Sequence, residues 1–251
     1  MILSVASLPA GAAARAQELS GLAELARAAA ERYLDGDYAG AAALYEIVIQ
    51  AGVHDGPVYY NLGSAYLQTG DLGRAMLYYR RAQSVTPRDP DVNVGLAALR
   101  LQRTDLLGDE TIFVDSLATA TAHLLTQNEL VWLMWCGWVA VCAALAAVIV
   151  GNDRWAAVTR PALAITLLML AIAGVLLANR LYVDSHRPAA VVTTPSTAVY
   201  SGPGETYLEI YQMHAATEIR LLETRGEWVR FVRPDARQGW IRRTAVTSVD
   251  E

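Results

Sequence analysis

Residues able to do chemistry are few in this chain, and their spacing does not suit it. His54, His123, His186 and His214 are scattered, and His123 has no second His, Asp or Glu at a metal-ligand interval. Cys136 and Cys142 lie in one apolar run, six residues apart, which on a helix is about 240° around the axis and out of disulfide reach. Thiol nucleophiles, CxxC redox pairs and thiolate zinc sites elsewhere in the chain are thereby excluded. There is no HExxH, no GxSxG, no Walker loop and no GxGxxG leading into a helix. The residues imply no catalytic, cofactor-binding or metal-binding function, and no cofactor. Nucleic acid is not an expected partner either: residues 1–128 carry 9 Arg against 14 acids, and residues 188–251 carry 7 Arg against 8 acids. What is left is recognition, and recognition depends on the elements that present the side chains.

The dominant element is a pair of apolar runs. Residues 130–150 are 21 residues without a charge, and residues 161–178 are 18 residues in which Thr166 alone offers a side-chain hydrogen bond. As helices these measure roughly 31 and 27 Å, enough to cross a bilayer. Core helices of a water-soluble protein would carry a polar stripe. Residues 151–160 are too short for a domain, so the pair reads as a transmembrane hairpin whose outer ends share one compartment. Arg154 and Arg160 in that loop, against the acidic, Arg-free flank 109–129, place the loop in the cytoplasm and both flanking domains outside it. Arg180 and Arg187, after the second run, count against that orientation. Neither run holds an ionisable group that would mark an ion path. Ala140, Ala143, Ala144 and Ala147, or Gly174 and Ala178, provide small faces for helix packing, while Trp132, Trp135, Trp138, Trp155 and Tyr182 suit the interfaces.

Before the hairpin, residues 1–16 are small and apolar and end in Ala14-Arg15-Ala16, a small-x-small pattern that reads as a signal-peptide leader or as an alanine-rich helix. Residues 22–89 then repeat with a period of 34: Gly36 with Gly70, Asp37 with Asp71, Ala41 with Ala75, Tyr45 with Tyr79. The pattern resembles the tetratricopeptide repeat, in copies 22–55 and 56–89. The second copy runs Tyr59, Asn61, Leu62, Gly63, Tyr66, Gly70, Asp71, Ala75, Tyr79, Ala82 and Pro87 through the motif, whereas the first departs from it at Ala29 and Arg32. Residues 90–103 read as a capping helix that covers the open end with Val92, Leu96 and Leu99. The resemblance implies a concave peptide-binding groove showing Arg27, Tyr33, Tyr60, Asn61, Ser64 and Gln68. Asn61 matches a position that grips a peptide backbone or carboxylate in some members, without the accompanying lysines. Residues 104–129 alternate acids with apolar residues, as an interfacial helix or a linker would.

After the hairpin, residues 189–251 are rich in Val, Ile, Thr and aromatics broken by turns, which predicts five or so short strands of a small all-β barrel. Val199, Ser201, Gly202, Pro203, Gly204, Tyr207, Ile210, Trp228, Val229, Gly239, Trp240 and Ile241 resemble the bacterial SH3-like domain, with Ala215-Ala216 where that family often turns on Gly. The resemblance makes Tyr200, Tyr207 and Trp240 candidates for a surface that binds cell-wall peptides; the competing role for the tryptophans is in the core.

Leader, repeats, hairpin and SH3-like domain, in that order, resemble the BatE family of aerotolerance-operon proteins over nearly the whole chain. The fold expectation is a multidomain membrane protein. The functional one is a non-enzymatic scaffold in the cytoplasmic membrane. The resemblance implies von Willebrand factor A domain membrane proteins as partners and, indirectly, a MoxR-type AAA+ ATPase. The alternative is an envelope sensor or anchor whose SH3-like domain binds peptidoglycan.

Overall fold

The computed structural model describes residues 10–105, 127–150, 153–186 and 188–250. Most of the leader and connector and all of His123 lie outside them. The chain divides into two compact units, one made of Met1–Leu106 with Ala189–Phe231 and Gln238–Glu251, the other of Leu107–Pro188 with Val232–Arg237.

In the first unit, five helices run α1 (Ala10–Leu34), α2 (Tyr38–Gln50), α3 (Gly56–Gln68), α4 (Leu72–Val85) and α5 (Pro90–Gln102). Their boundaries follow from the sequence period. Asp37, Asp55, Asp71 and Asp89 each cap a helix, accepting from the backbone N–H of Gly40, Val58, Arg74 and Asp91 respectively at 2.9 Å. A carboxylate there satisfies N–H groups that no helical carbonyl can reach. Tyr45, Leu62, Met76, Leu96 and Leu99 are fully buried between the helices. A Cβ on Gly63 would lie 2.8 Å from the Tyr79 ring, so the absence of a side chain there is what lets α3 and α4 close on that tyrosine. Arg32, where the repeat family favours an aromatic, instead pairs with the cap Asp37 at 2.9 Å. The Tyr66 hydroxyl donates to Glu46 from the neighbouring repeat, and burial first, then that carboxylate, push its pKa well above the ordinary value.

The C-terminal residues form seven strands, β1 (Ala189–Val192), β2 (Ser196–Tyr200), β3 (Glu209–His214), β4 (Glu218–Arg225), β5 (Trp228–Val232), β6 (Gln238–Arg242) and β7 (Val246–Ser248). Their order in the sheet is β3-β2-β6-β5-β4-β1-β7, and the pairings of β1 with β4 and β7 and of β2 with β3 and β6 are antiparallel. The expected closed barrel of about five strands is therefore corrected to an open sheet. At the end of β3 the backbone N–H of His214 donates to the Asp105 carboxylate at 2.8 Å.

β1 is buried on both faces, and period-2 alternation sorts its side chains. Ala190 and Val192 join Val199, Met213, Phe231 and Ile241 in the core of the sheet, while Val191, with Ala216 and Val249, joins the core of the repeats. The sheet thus keeps a core of its own and contributes Val191, Ala216 and Val249 to that of the repeats.

Ala216 and Ala236 adopt φ of +66° and +65°. Ala236 is exposed in the β5–β6 turn, so Ala236→Gly loses no buried contact and relieves a left-handed backbone. The expected gain is about 1 kcal/mol, read as a higher denaturation midpoint.

In the second unit, α6 (Gln127–Val150) packs on α7 (Asp153–His186). Residues 153–160, read from the sequence as loop, are helical and lead into Pro161, which lies inside α7. The stretches Glu129–Ala147 and Pro161–Asn179 are long and apolar enough to cross a membrane, and only 11% of the first and 0% of the second is buried. The contact between the helices is made at Gly137, where a Cβ would lie 2.9 Å from Leu170, whereas Gly174 has nothing within 4 Å of that position. Trp132, Trp135, Trp138, Ile165, Leu168 and Met169 are exposed. The Thr166 hydroxyl is satisfied within its own helix, donating to the Ala162 carbonyl at 2.8 Å.

Candidate binding sites

Of the six residues expected to line a groove on the repeats, Tyr60 and Ser64 lie beside one another on α3. Tyr60 on α3 lies 5.5 Å from Tyr79 on α4, and the Ser64 hydroxyl is 3.0 Å from the Tyr79 hydroxyl. Asn61 hydrogen-bonds to Tyr45, and Tyr33 packs edge-on against Tyr38 at 5.1 Å. Burial raises the pKa of both Tyr45 and Tyr79. The result is a buried cluster of phenols whose hydroxyls are satisfied inside the repeats, with only Tyr60 and Ser64 reaching its partly exposed rim. Asn61 is engaged within it, tying α3 to α2. Arg27 and Gln68 are exposed, and Arg27 sits 3.7 Å from Glu31. Tyr45 and Tyr79, which the 34-residue spacing marks as packing residues, are 2% and 3% exposed, and Tyr38 lies against Tyr33.

The aromatic set on the sheet does not form one exposed face. Trp240 is 7% exposed, with the Arg225 guanidinium 5.3 Å from its ring centroid. Tyr200 is half-buried and packs edge-on against Trp228 at 5.3 Å. Tyr207 is exposed, beside Leu208 and Ile210.

A second concavity lies where the sheet meets α4. This cleft of about 870 Å³ is walled by the N-terminal half of α4, the residues after β1 and β3, and β7. Arg74 is neutralised in its wall, with Nε 2.6 Å from Asp71 and Nη1 donating to the Tyr66 hydroxyl at 3.0 Å. Arg81 is held by backbone instead: Nε donates to the Val249 carbonyl at 3.1 Å and Nη2 to that of Ser248 at 3.0 Å. His214 lines the cleft, with Nδ1 2.8 Å from Asp105, which also accepts from the Thr217 hydroxyl at 2.9 Å. Burial would raise the Asp105 carboxyl, but the His214 amide and ring and the Thr217 hydroxyl hold it below its ordinary value. Asp105 and His214 are 109 residues apart, so no local spacing could have announced them.

Deeper in the same junction, Glu218 is enclosed by three arginines. Arg80 Nε is 3.2 Å away, Arg100 makes a two-pronged contact at 3.0 Å, and Arg103 Nη1 is at 3.5 Å. Burial alone would raise the Glu218 carboxyl; Arg80, Arg100 and Arg103 together overcome it and hold the group ionised below the usual range. Among the described residues, no three His, Cys, Asp or Glu side chains converge as a metal site would require.

Residues 56–89 match the family model described as Tetratricopeptide repeat, the span of α3, α4 and the turn that follows. No curated protein and no solved structure matches the chain.

Proposed function

We propose that this chain is a non-enzymatic scaffold anchored in the cytoplasmic membrane by α6 and α7, with the repeats and sheet outside and residues 151–160 in the cytoplasm. The tetratricopeptide repeat supports a protein-interaction role, and the half-buried Tyr60 and Ser64 on α3, with the exposed Arg27 and Gln68, are the side chains a partner would meet there.

One observation carries the anchoring part. The chain leaves the repeat–sheet unit after Asp105 and re-enters it at Ala189, and Val191, Ala216 and Val249 share the core of the repeats. A segment that starts and ends in one folded body must cross a bilayer an even number of times. Two helices with apolar, exposed outer surfaces meet that condition.

The order of parts supports the finer reading, a BatE-type complex linked to aerotolerance or stress. Its partners would be von Willebrand factor A domain membrane proteins, with a MoxR-type AAA+ ATPase acting indirectly. The sheet is an SH3-like fold in this reading, used for docking on the repeats. A peptidoglycan-binding sheet has less support, because Trp240 is buried and Tyr200 is engaged with Trp228.

Alkaline carbonate extraction tests the anchor. The full chain is expected to stay with the membrane pellet, and a variant lacking residues 127–186 to be released. Recovery of the intact chain in the extract would overturn the reading. Sedimentation of the detergent-solubilised chain with purified cell wall is expected to leave it in the supernatant, and retention on the wall would favour the sensor instead.

A further inference from the structure

We infer that the cleft between α4 and the sheet is a binding site for an acidic peptide segment, distinct from the tyrosine cluster on the repeats. At about 870 Å³ the cleft is far larger than a lone inorganic ion and falls in the range of sites that enclose extended organic ligands.

Its charge sets the ligand class. Asp71 cancels Arg74, whereas Arg81 makes no ion pair with any described carboxylate and is fixed by two backbone carbonyls. Those carbonyls use two of the five guanidinium N–H donors and leave three. A guanidinium locked in place without a carboxylate is organised to receive one, and charge-assisted bonds of this kind are the strong ones.

The remaining wall suits a peptide. The Thr193 and Thr247 hydroxyls lie 3.3 Å apart across the β1–β7 pair and can bond a backbone, while Leu77 and Tyr78 supply an apolar wall for a side chain. The hydroxyl of Thr194, also in the wall, is buried with no hydrogen-bond partner. A single uncompensated cation is too little for a nucleic-acid backbone, which demands several.

The test uses the full chain in detergent, so it is independent of membrane orientation. The probes are two fluorescein-labelled hexapeptides, Ala-Leu-Asp-Glu-Leu-Ala and its neutral counterpart Ala-Leu-Asn-Gln-Leu-Ala, read by polarisation. The acidic probe is expected to bind at least tenfold tighter than the neutral one. Arg81→Gln should remove that preference and Thr247→Val should weaken acidic binding severalfold, while Tyr60→Ala leaves it unchanged. Because Arg81 also holds Ser248 and Val249, Thr194→Val serves as a second variant: it removes an unbonded hydroxyl, keeps the thermal midpoint and still weakens binding. Equal binding of both probes, no binding, loss on Tyr60→Ala, or full displacement by millimolar inorganic phosphate, which marks an adventitious ion only, would each overturn the proposal.

Discussion

Replacing Glu218 with glutamine is expected to cost the repeat–sheet unit about 3–5 kcal/mol, the usual penalty for breaking a buried ion cluster from one side. Arg80, Arg100 and Arg103 converge on this one carboxylate, which is 14% exposed. Without its charge, Arg80, Arg100 and Arg103 lose the carboxylate on which all three converge in a poorly hydrated junction. Chemical denaturation of the full chain in detergent, followed by circular dichroism, reads the loss as a lower midpoint. A change below 1 kcal/mol would mean that water reaches the cluster and screens it.

The same group gives the unit its acid limit. The folded-state pKa values of Glu218 and Asp105 are both depressed, so their stabilisation is complete above the ordinary carboxylate range. It is lost as the pH falls through the lower folded values. The midpoint of the wild type is expected to stay level from pH 7 to about 5 and to drop below about 4. Glu218→Gln should flatten part of that drop.

Gly73→Val is expected to separate the sheet from the repeats. Gly73 lies in the first turn of α4, and a Cβ there would meet Thr193 Cα at 2.8 Å and the carbonyl oxygens of Thr193 and Val192 at 2.9 Å. All three atoms are backbone, so no rotamer change makes room. Even Gly73→Ala is informative, because alanine favours a free helix over glycine by about 1 kcal/mol. An account based on helix propensity predicts a gain, while overpacking against β1 predicts a loss of about 1–3 kcal/mol, larger for valine. Thermal unfolding of the full chain distinguishes the two by sign. A raised midpoint for Gly73→Ala would show that α4 and β1 do not touch as described.

These two residues also mark where the sequence stopped being legible. The helical repeats were readable because the 34-residue period carries its own boundaries: Asp37 and Asp71 cap equivalent helices, and so do Asp55 and Asp89. The two apolar helices were readable from length and lack of charge alone. β1 was not, because Ala-Ala-Val-Val is buried on both faces and shows no alternation to count. That strand makes the sheet seven-stranded and joins it to the repeats, so missing it meant treating the two domains as separate.

The chemistry was hidden for a related reason. Glu218 and Arg100 are 118 residues apart, and His214 and Asp105 are 109 apart, so no window holds both partners. Trp240 takes the core role that the sequence favoured for the tryptophans over a surface one, being 7% exposed with Arg225 over its ring. The repeat register puts Tyr60 and Ser64 on one helix, and the packing role it gives Tyr79 fits a residue 3% exposed whose hydroxyl lies 3.0 Å from that of Ser64.

The account rests on repeats and sheet being one body on one side of the membrane, and cysteine labelling in intact cells tests this most directly. Ser84 on α4 and Thr224 on β4 are both exposed, and the native Cys136 and Cys142 can be replaced by serine. Single variants Ser84→Cys and Thr224→Cys, treated with a membrane-impermeant maleimide, are expected to label alike, both before lysis. Labelling of one position with protection of the other would contradict the shared core, and the claim would fall.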